Sequence, residues 1–261
     1  MVVLATKRSK NLTLFTHSPD GVRIAYDSVG EGRPIVLIHG FASSREQNWR
    51  STGWIDRLAA AGFRVVNLDC RGHGKSDKPH EPAAYGEHMI DDIIAVMDAA
   101  QAPTADVMGY SMGSILTIRL LMQHPERVRR AVLAGLGASY FAESQAWRAM
   151  IAGAMEAEDF ANIADPVAQR FRIFGLQKGK DRLALAACMR SPGHKYTQSD
   201  LKRSTRPVLV VCGGKDDLSG APEPLAEAFA DGRAVTLPGK DHMSAVGDPG
   251  YKKAVLRFLG G

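Results

Sequence analysis

Cysteine is scarce in this chain: three among 261 residues, Cys70, Cys188 and Cys212. That is too few for a disulfide framework, and none has metal-ligand spacing. Cys70 and Cys212 sit at the ends of apolar runs, where a small buried hydrophobe is the expectation. No stretch approaches the roughly 18 unbroken apolar residues of a membrane span, so none is expected. The opening, MVVLATKRSKNLTLF, puts its apolar residues ahead of its basic cluster. That is the reverse of a secretory leader, and a cytoplasmic location is the expectation. Basic residues exceed acidic ones, 33 against 28, for a net charge of +5. They are scattered, with only short clusters such as Lys7 with Arg8 and Arg129 with Arg130. With neither a basic stripe nor a reader motif, nucleic acid is not an expected partner. Internal repeats and low-complexity tracts are also missing.

What remains is an ordinary globular composition, 45% hydrophobic and 23% charged, at a length that suits one large core or a core with a small addition. Residues 12–17 and 22–28 are extended runs around Ser18-Pro19-Asp20-Gly21, a sequence with turn chemistry, and predict a β-hairpin. Short continuous apolar runs follow at 35–38, 63–68, 105–108, 128–134, 208–211 and 234–237. Continuous rather than alternating hydrophobicity suits strands buried on both faces. Between them, helices are predicted at 49–61, 87–100, 112–124, 222–230 and 251–259, most of them stopped by glycine or before proline. The alternation predicts an α/β sheet with right-handed crossovers. From 139 to 205 the rhythm breaks and only helical patterns occur, at 144–157, 166–174 and 181–189. Placed just beyond a strand's C-terminal end, where α/β sheets bind ligands, this segment is expected to form a lid.

The sharpest local signal is Gly109-Tyr110-Ser111-Met112-Gly113, directly after the 105–108 strand and directly before a helix. A strand–turn–helix setting is what a nucleophile elbow requires. Read alone, Ser111 is an ordinary helix cap. A serine nucleophile needs a base, and the base an orienting acid, in the chain order Ser, acid, His. Both turn up where that order puts them. The 208–211 strand runs into Cys212-Gly213-Gly214-Lys215-Asp216-Asp217, and the 234–237 strand into Pro238-Gly239-Lys240-Asp241-His242. Asp216 is the preferred acid, with Asp217 as its competitor; the stretch after the 128–134 strand, AGLGASY, offers no carboxylate. An oxyanion needs two preorganised donors. These are expected to be the N–H groups of Met112 and of Phe41, the latter in the loop His39-Gly40-Phe41-Ala42-Ser43, with His39 itself a structural residue.

Asp69-Cys70-Arg71-Gly72-His73-Gly74-Lys75-Ser76 lacks the spacing of a phosphate loop. With the three motifs above, it resembles the α/β-hydrolase fold superfamily, specifically its serine-nucleophile, esterase-like members, in which D-x-R-G-x-G-x-S is a structural turn. The resemblance covers nearly the whole chain. It implies a mostly parallel eight-stranded sheet flanked by helices, with residues 1–138 and 206–261 as core and 139–205 as a small helical lid. It also implies acyl transfer by Ser111, Asp216 and His242 without cofactor or metal. Ser114 stands where many relatives carry a second glycine, which implies only a minor packing difference. Epoxide hydrolases and haloalkane dehalogenases are disfavoured because they carry Asp at the elbow.

The expected substrate is a small to medium carboxylic ester, since the lid is compact. C–C bond hydrolysis, perhydrolase or lactonase chemistry by the same triad, and a non-catalytic ligand-binding protein on the same fold, are the alternatives. A monomer or homodimer is the default expectation.

Overall fold

The computed structural model describes residues 12–142 and 144–260. Lys7, Arg8 and the rest of the apolar-then-basic opening lie outside the described residues. Eight strands form one sheet in the order β1-β2-β4-β3-β5-β6-β7-β8. They are β1 (Leu14–His17), β2 (Arg23–Val29), β3 (Arg33–Ile38), β4 (Phe63–Leu68), β5 (Ala105–Tyr110), β6 (Val128–Ala134), β7 (Val208–Gly213) and β8 (Gly232–Leu237). The opening hairpin pairs antiparallel and β2 joins β4 antiparallel; every other pairing is parallel.

The helices are α1 (Trp54–Ala60), α2 (His88–Ala99), α3 (Met112–Gln123), α4 (Ser139–Ala142), α5 (Gln145–Glu156), α6 (Pro166–Gly175), α7 (Arg182–Arg190), α8 (Gln198–Leu201), α9 (Glu223–Glu227) and α10 (Pro249–Gly260). Side chains of a strand alternate between its two faces. Accordingly Ile35 and Leu37 pack with Trp54 and Leu58 of α1 and Val255 of α10. Val36 and Ile38 pack with Ile93 of α2 and Ile118 of α3. Covering both faces is what lets residues 35–38 of β3 and 208–211 of β7 be apolar without alternation.

The single helix expected at 49–61 is two pieces. A π-helical turn at Glu46–Arg50 precedes α1, and Gly53 at φ 74° separates them. Thr52 reinforces the break by donating its hydroxyl back to the carbonyl of Asn48, at 2.7 Å. The helix expected at 222–230 is shorter, ending at Glu227.

Between β6 and β7 the described residues form helices and no strand. Ser144, Asp165 and Asp181 cap α5, α6 and α7 by accepting backbone N–H bonds, which satisfies donors the first turn leaves orphaned. Ile151, Met155 and Leu185 from these helices are buried in the same apolar cluster that packs against α2 and α3. The Asp69–Ser76 turn is built by its own side chains: Asp69 accepts the N–H groups of Arg45 and Lys75, and the Ser76 hydroxyl donates to the Asp69 carbonyl. The three cysteines are free and buried. Among the described residues no helix is long and apolar enough to cross a membrane.

Candidate active site

β5 ends at Tyr110, α3 begins at Met112, and Ser111 makes the turn alone at φ 53°, ψ −115°. A left-handed serine costs on the order of 1–3 kcal/mol and persists only when its surroundings over-determine it. Here they do. A Cβ on Gly109 would lie 2.2 Å from the Gly113 carbonyl oxygen, and one on Gly113 would lie 2.0 Å from that of Ile38. The Ser111 N–H donates to the Ala134 carbonyl at 2.7 Å. That carbonyl also accepts the buried Ser114 hydroxyl at 2.8 Å. Ser114 thus anchors the elbow to β6 rather than merely filling a glycine position.

The loop after β3 is pressed against this turn: a Cβ on Gly40 would lie 3.5 Å from that of Ser111. Ala42 carries another positive φ, 55°. Gly40 donates its N–H to Asn48 Oδ1, and Ala42 donates to His73 Nε2 at 3.1 Å. Phe41 lies between them, and among the described residues its N–H has no protein acceptor. Met112, at the first position of α3, has no preceding turn to accept its own N–H. Phe41 and Met112 both line one cavity of about 360 Å³, together with Ser111 and His242.

Asp216 is buried beyond the end of β7 and its carboxylate is fully engaged. Oδ1 accepts the N–H groups of Leu218 and Ser219 at 3.1 and 3.0 Å. Oδ2 accepts the Ser219 hydroxyl at 2.6 Å and pairs with His242 Nδ1 at 2.9 Å. Burial pushes the Asp216 carboxyl up, but the His242 bond and the Ser219 bonds outweigh it and hold the acid below the usual carboxylate range. The charged acceptor fixes the imidazole with its proton on Nδ1 and leaves Nε2 as acceptor. Asp217, the competing acid, is exposed and sits on the cavity wall without a bond to His242. The Tyr110 hydroxyl donates to the His242 carbonyl at 2.5 Å, fixing the loop that carries the imidazole.

Several of these contacts escape sequence reading. Ser219 has a faint signal, since an Asp followed three residues later by Ser is a common turn pattern. Tyr110 occupies an unspecified position of the elbow motif, and Asn48 lies just ahead of the helix expected at 49–61, in the π-helical turn. His39 and His73 form a buried pair with ring centroids 5.1 Å apart. Nδ1 of each donates to a backbone carbonyl, of Gly40 and Arg71 respectively, and Nε2 of each accepts a backbone N–H, from Cys70 and Ala42. Both rings are therefore neutral supports of the loop that carries Phe41.

That neutrality has a pH signature. Burial lowers His39 from 6.5 to about 4, and burial with the neighbouring His39 lowers His73 to about 3. Below 6.5 the unfolded chain takes up protons that the folded chain refuses, so stability falls as pH drops from 6.5 toward those folded values. The loss is on the order of 1 kcal/mol per pH unit for each ring. The buried carboxyls Asp27, Asp92 and Asp106, raised by burial, act in the opposite sense. Urea melts of the wild type and of His73→Gln at about pH 7 and about pH 5 isolate the histidine share. The variant is expected to lose less stability on acidification, and equal losses would contradict the neutral-pair assignment.

Trp147 of α5 and Phe171 of α6 also line the cavity. Of the other large apolar residues between β6 and β7, Met155 is buried, Phe141 and Phe160 are exposed, and Phe174 stacks under the Lys180 ammonium. Among the described residues no group of three or more His, Cys, Asp or Glu is placed to hold a metal ion.

With the fold and this geometry in hand, comparison with known proteins gives the class: a family model described as the alpha/beta hydrolase fold matches residues 33–172. The chain belongs to the α/β-hydrolase family. A solved structure of a hydrolase from Pseudomonas aeruginosa superposes with a TM-score of 0.79 at 28% identity, covering 97% of this chain and 100% of that one. An esterase from Rhodococcus sp. ECU1013 superposes at 0.75 with 25% identity, covering 95% and 98%. In sequence, 117 residues are 34% identical to the 2-hydroxymuconate semialdehyde hydrolase of Pseudomonas sp. strain CF600, which is 44% of this chain and 40% of that protein. The other first relatives are likewise matched over 41% or less of their own length.

Proposed function

We propose that this protein is a serine hydrolase that cleaves small to medium carboxylic esters through an acyl-enzyme. The observation that carries this reading is a strained serine opening on the same cavity as a histidine already paired with a buried carboxylate. His242 Nε2 accepts the Ser111 proton as Oγ attacks the ester carbonyl. The resulting oxyanion lies between the N–H groups of Phe41 and Met112, donors fixed before substrate arrives. The imidazolium gives its proton to the leaving alcohol, and Asp216 stabilises the charge in the interval without taking the proton. Water, activated by the same imidazole, then releases the acid and restores Ser111.

A cavity of about 360 Å³ with apolar walls of Ile115, Trp147 and Phe171 supports short and medium acyl chains over long ones. The likeness to an esterase structure fits this reading. The test is hydrolysis of p-nitrophenyl acetate, butyrate and octanoate. The expected result is measurable kcat/KM on the two shorter esters and a fall at octanoate. Absence of turnover from the folded protein would move the assignment to C–C hydrolysis or to non-catalytic ligand binding, where the same pocket is occupied without chemistry.

A further inference from the structure

Helix α3 runs along the cavity from Ser111. Met112, Ile115 and Arg119, spaced three and four residues apart, share one face of it and all line the cavity. Arg119 is only 6% exposed. Its Nε donates to the His194 carbonyl at 3.2 Å. Among the described residues it has no carboxylate within ion-pair distance. Burial works against its charge; the more distant Glu87 carboxylate offsets part of that, and the neighbouring Arg148 adds to it. Arg148 also lines the cavity, held by the carbonyls of Cys188 and Ser191 at 3.1 and 3.3 Å. An apolar acyl pocket gains nothing from a guanidinium in its wall. Burying one costs several kcal/mol unless an anion meets it, and a leucine there would pack without that cost.

We propose that Arg119 is the centre of an anion subsite, and that the preferred substrate is an ester bearing a carboxylate at the end remote from its scissile carbonyl. This rests on the ester-hydrolase reading above and names its substrate class. Eight residues separate Ser111 from Arg119, roughly 12 Å along the helix. The length of the arginine side chain shortens the gap a ligand must span. A half-ester of a medium dicarboxylic acid has the required reach. The planar fork of Arg119 suits a carboxylate in a way a point charge does not.

The test compares two p-nitrophenyl esters of equal chain length, the half-ester of adipic acid and the hexanoate. The wild type is expected to favour the half-ester in kcat/KM. In Arg119→Met the ratio of half-ester to hexanoate kcat/KM is expected to fall roughly tenfold or more, mainly through KM, with Arg119→Lys in between. An unchanged ratio in Arg119→Met, with both esters slowed alike, would reduce Arg119 to a pin on the His194 backbone and overturn the subsite. A binding measurement separates this from the parent reading. Calorimetric titration of Ser111→Ala with monomethyl adipate is expected to show binding that the additional Arg119→Met change removes. Should neither p-nitrophenyl ester turn over, the esterase assignment fails and calorimetry alone decides the subsite: equal affinity in both proteins, or none in either, overturns it.

Discussion

Ser111→Ala is expected to lower kcat for p-nitrophenyl butyrate by roughly 10⁵- to 10⁶-fold while leaving the thermal midpoint close to that of the wild type. The size follows from the division of labour. Removing Oγ abolishes the covalent route, and only the oxyanion donors and substrate positioning remain. The mildness toward the fold follows from where Ser111 is held. Its strain is imposed through Gly109, Gly113 and the N–H bond to Ala134, and none of these uses the hydroxyl. Alanine tolerates the left-handed turn no better and no worse than serine. Measured kcat within a hundredfold of wild type would mean that the nucleophile lies elsewhere.

Asp216→Asn is expected to lower kcat by roughly 10³- to 10⁴-fold, whereas Asp217→Asn is expected to stay within a few-fold. An amide at 216 presents either a donor to His242 Nδ1 or a neutral acceptor. The first reverses the tautomer and puts a proton on Nε2, where an acceptor is needed. The second withdraws the charge that stabilises the imidazolium. Asp216 also organises Leu218 and Ser219, so a loss of stability of about 1–3 kcal/mol is expected alongside. Asp217 makes no such contacts and faces solvent at the cavity wall. Because Asp216 stays ionised below the usual carboxylate range, its support of His242 persists to mildly acidic pH, and is lost only as pH falls through that lowered value. A larger loss from Asp217→Asn would exchange the two roles.

The sequence made the sheet legible because its central strands are buried on both sides, which writes them as unbroken apolar runs such as 35–38 and 208–211. It also made the order of Ser111, Asp216 and His242 legible, since each follows a strand that can be recognised independently. The structure then brings Asp216 and His242 into a hydrogen bond and sets Ser111 on the same cavity. The break at Gly53 was not legible, because residues 49–61 keep a helical apolar pattern on both sides of it. Nor were the buried pair His39 and His73, whose rings meet only after β3 and β4 lie side by side. Arg119 shows a further limit. Helical periodicity puts it on one stripe with Met112 and Ile115, but periodicity is silent on whether that stripe meets a core or a cavity. Only the placement of α5, α6 and α7 settles it.

A covalent acyl-enzyme on Ser111 would be caught by intact-mass analysis of protein quenched during turnover of p-nitrophenyl butyrate. A butyryl adduct that maps to Ser111 is expected, enriched in Asp216→Asn and missing from Ser111→Ala. An adduct on any other residue, or one that survives in Ser111→Ala, would contradict it.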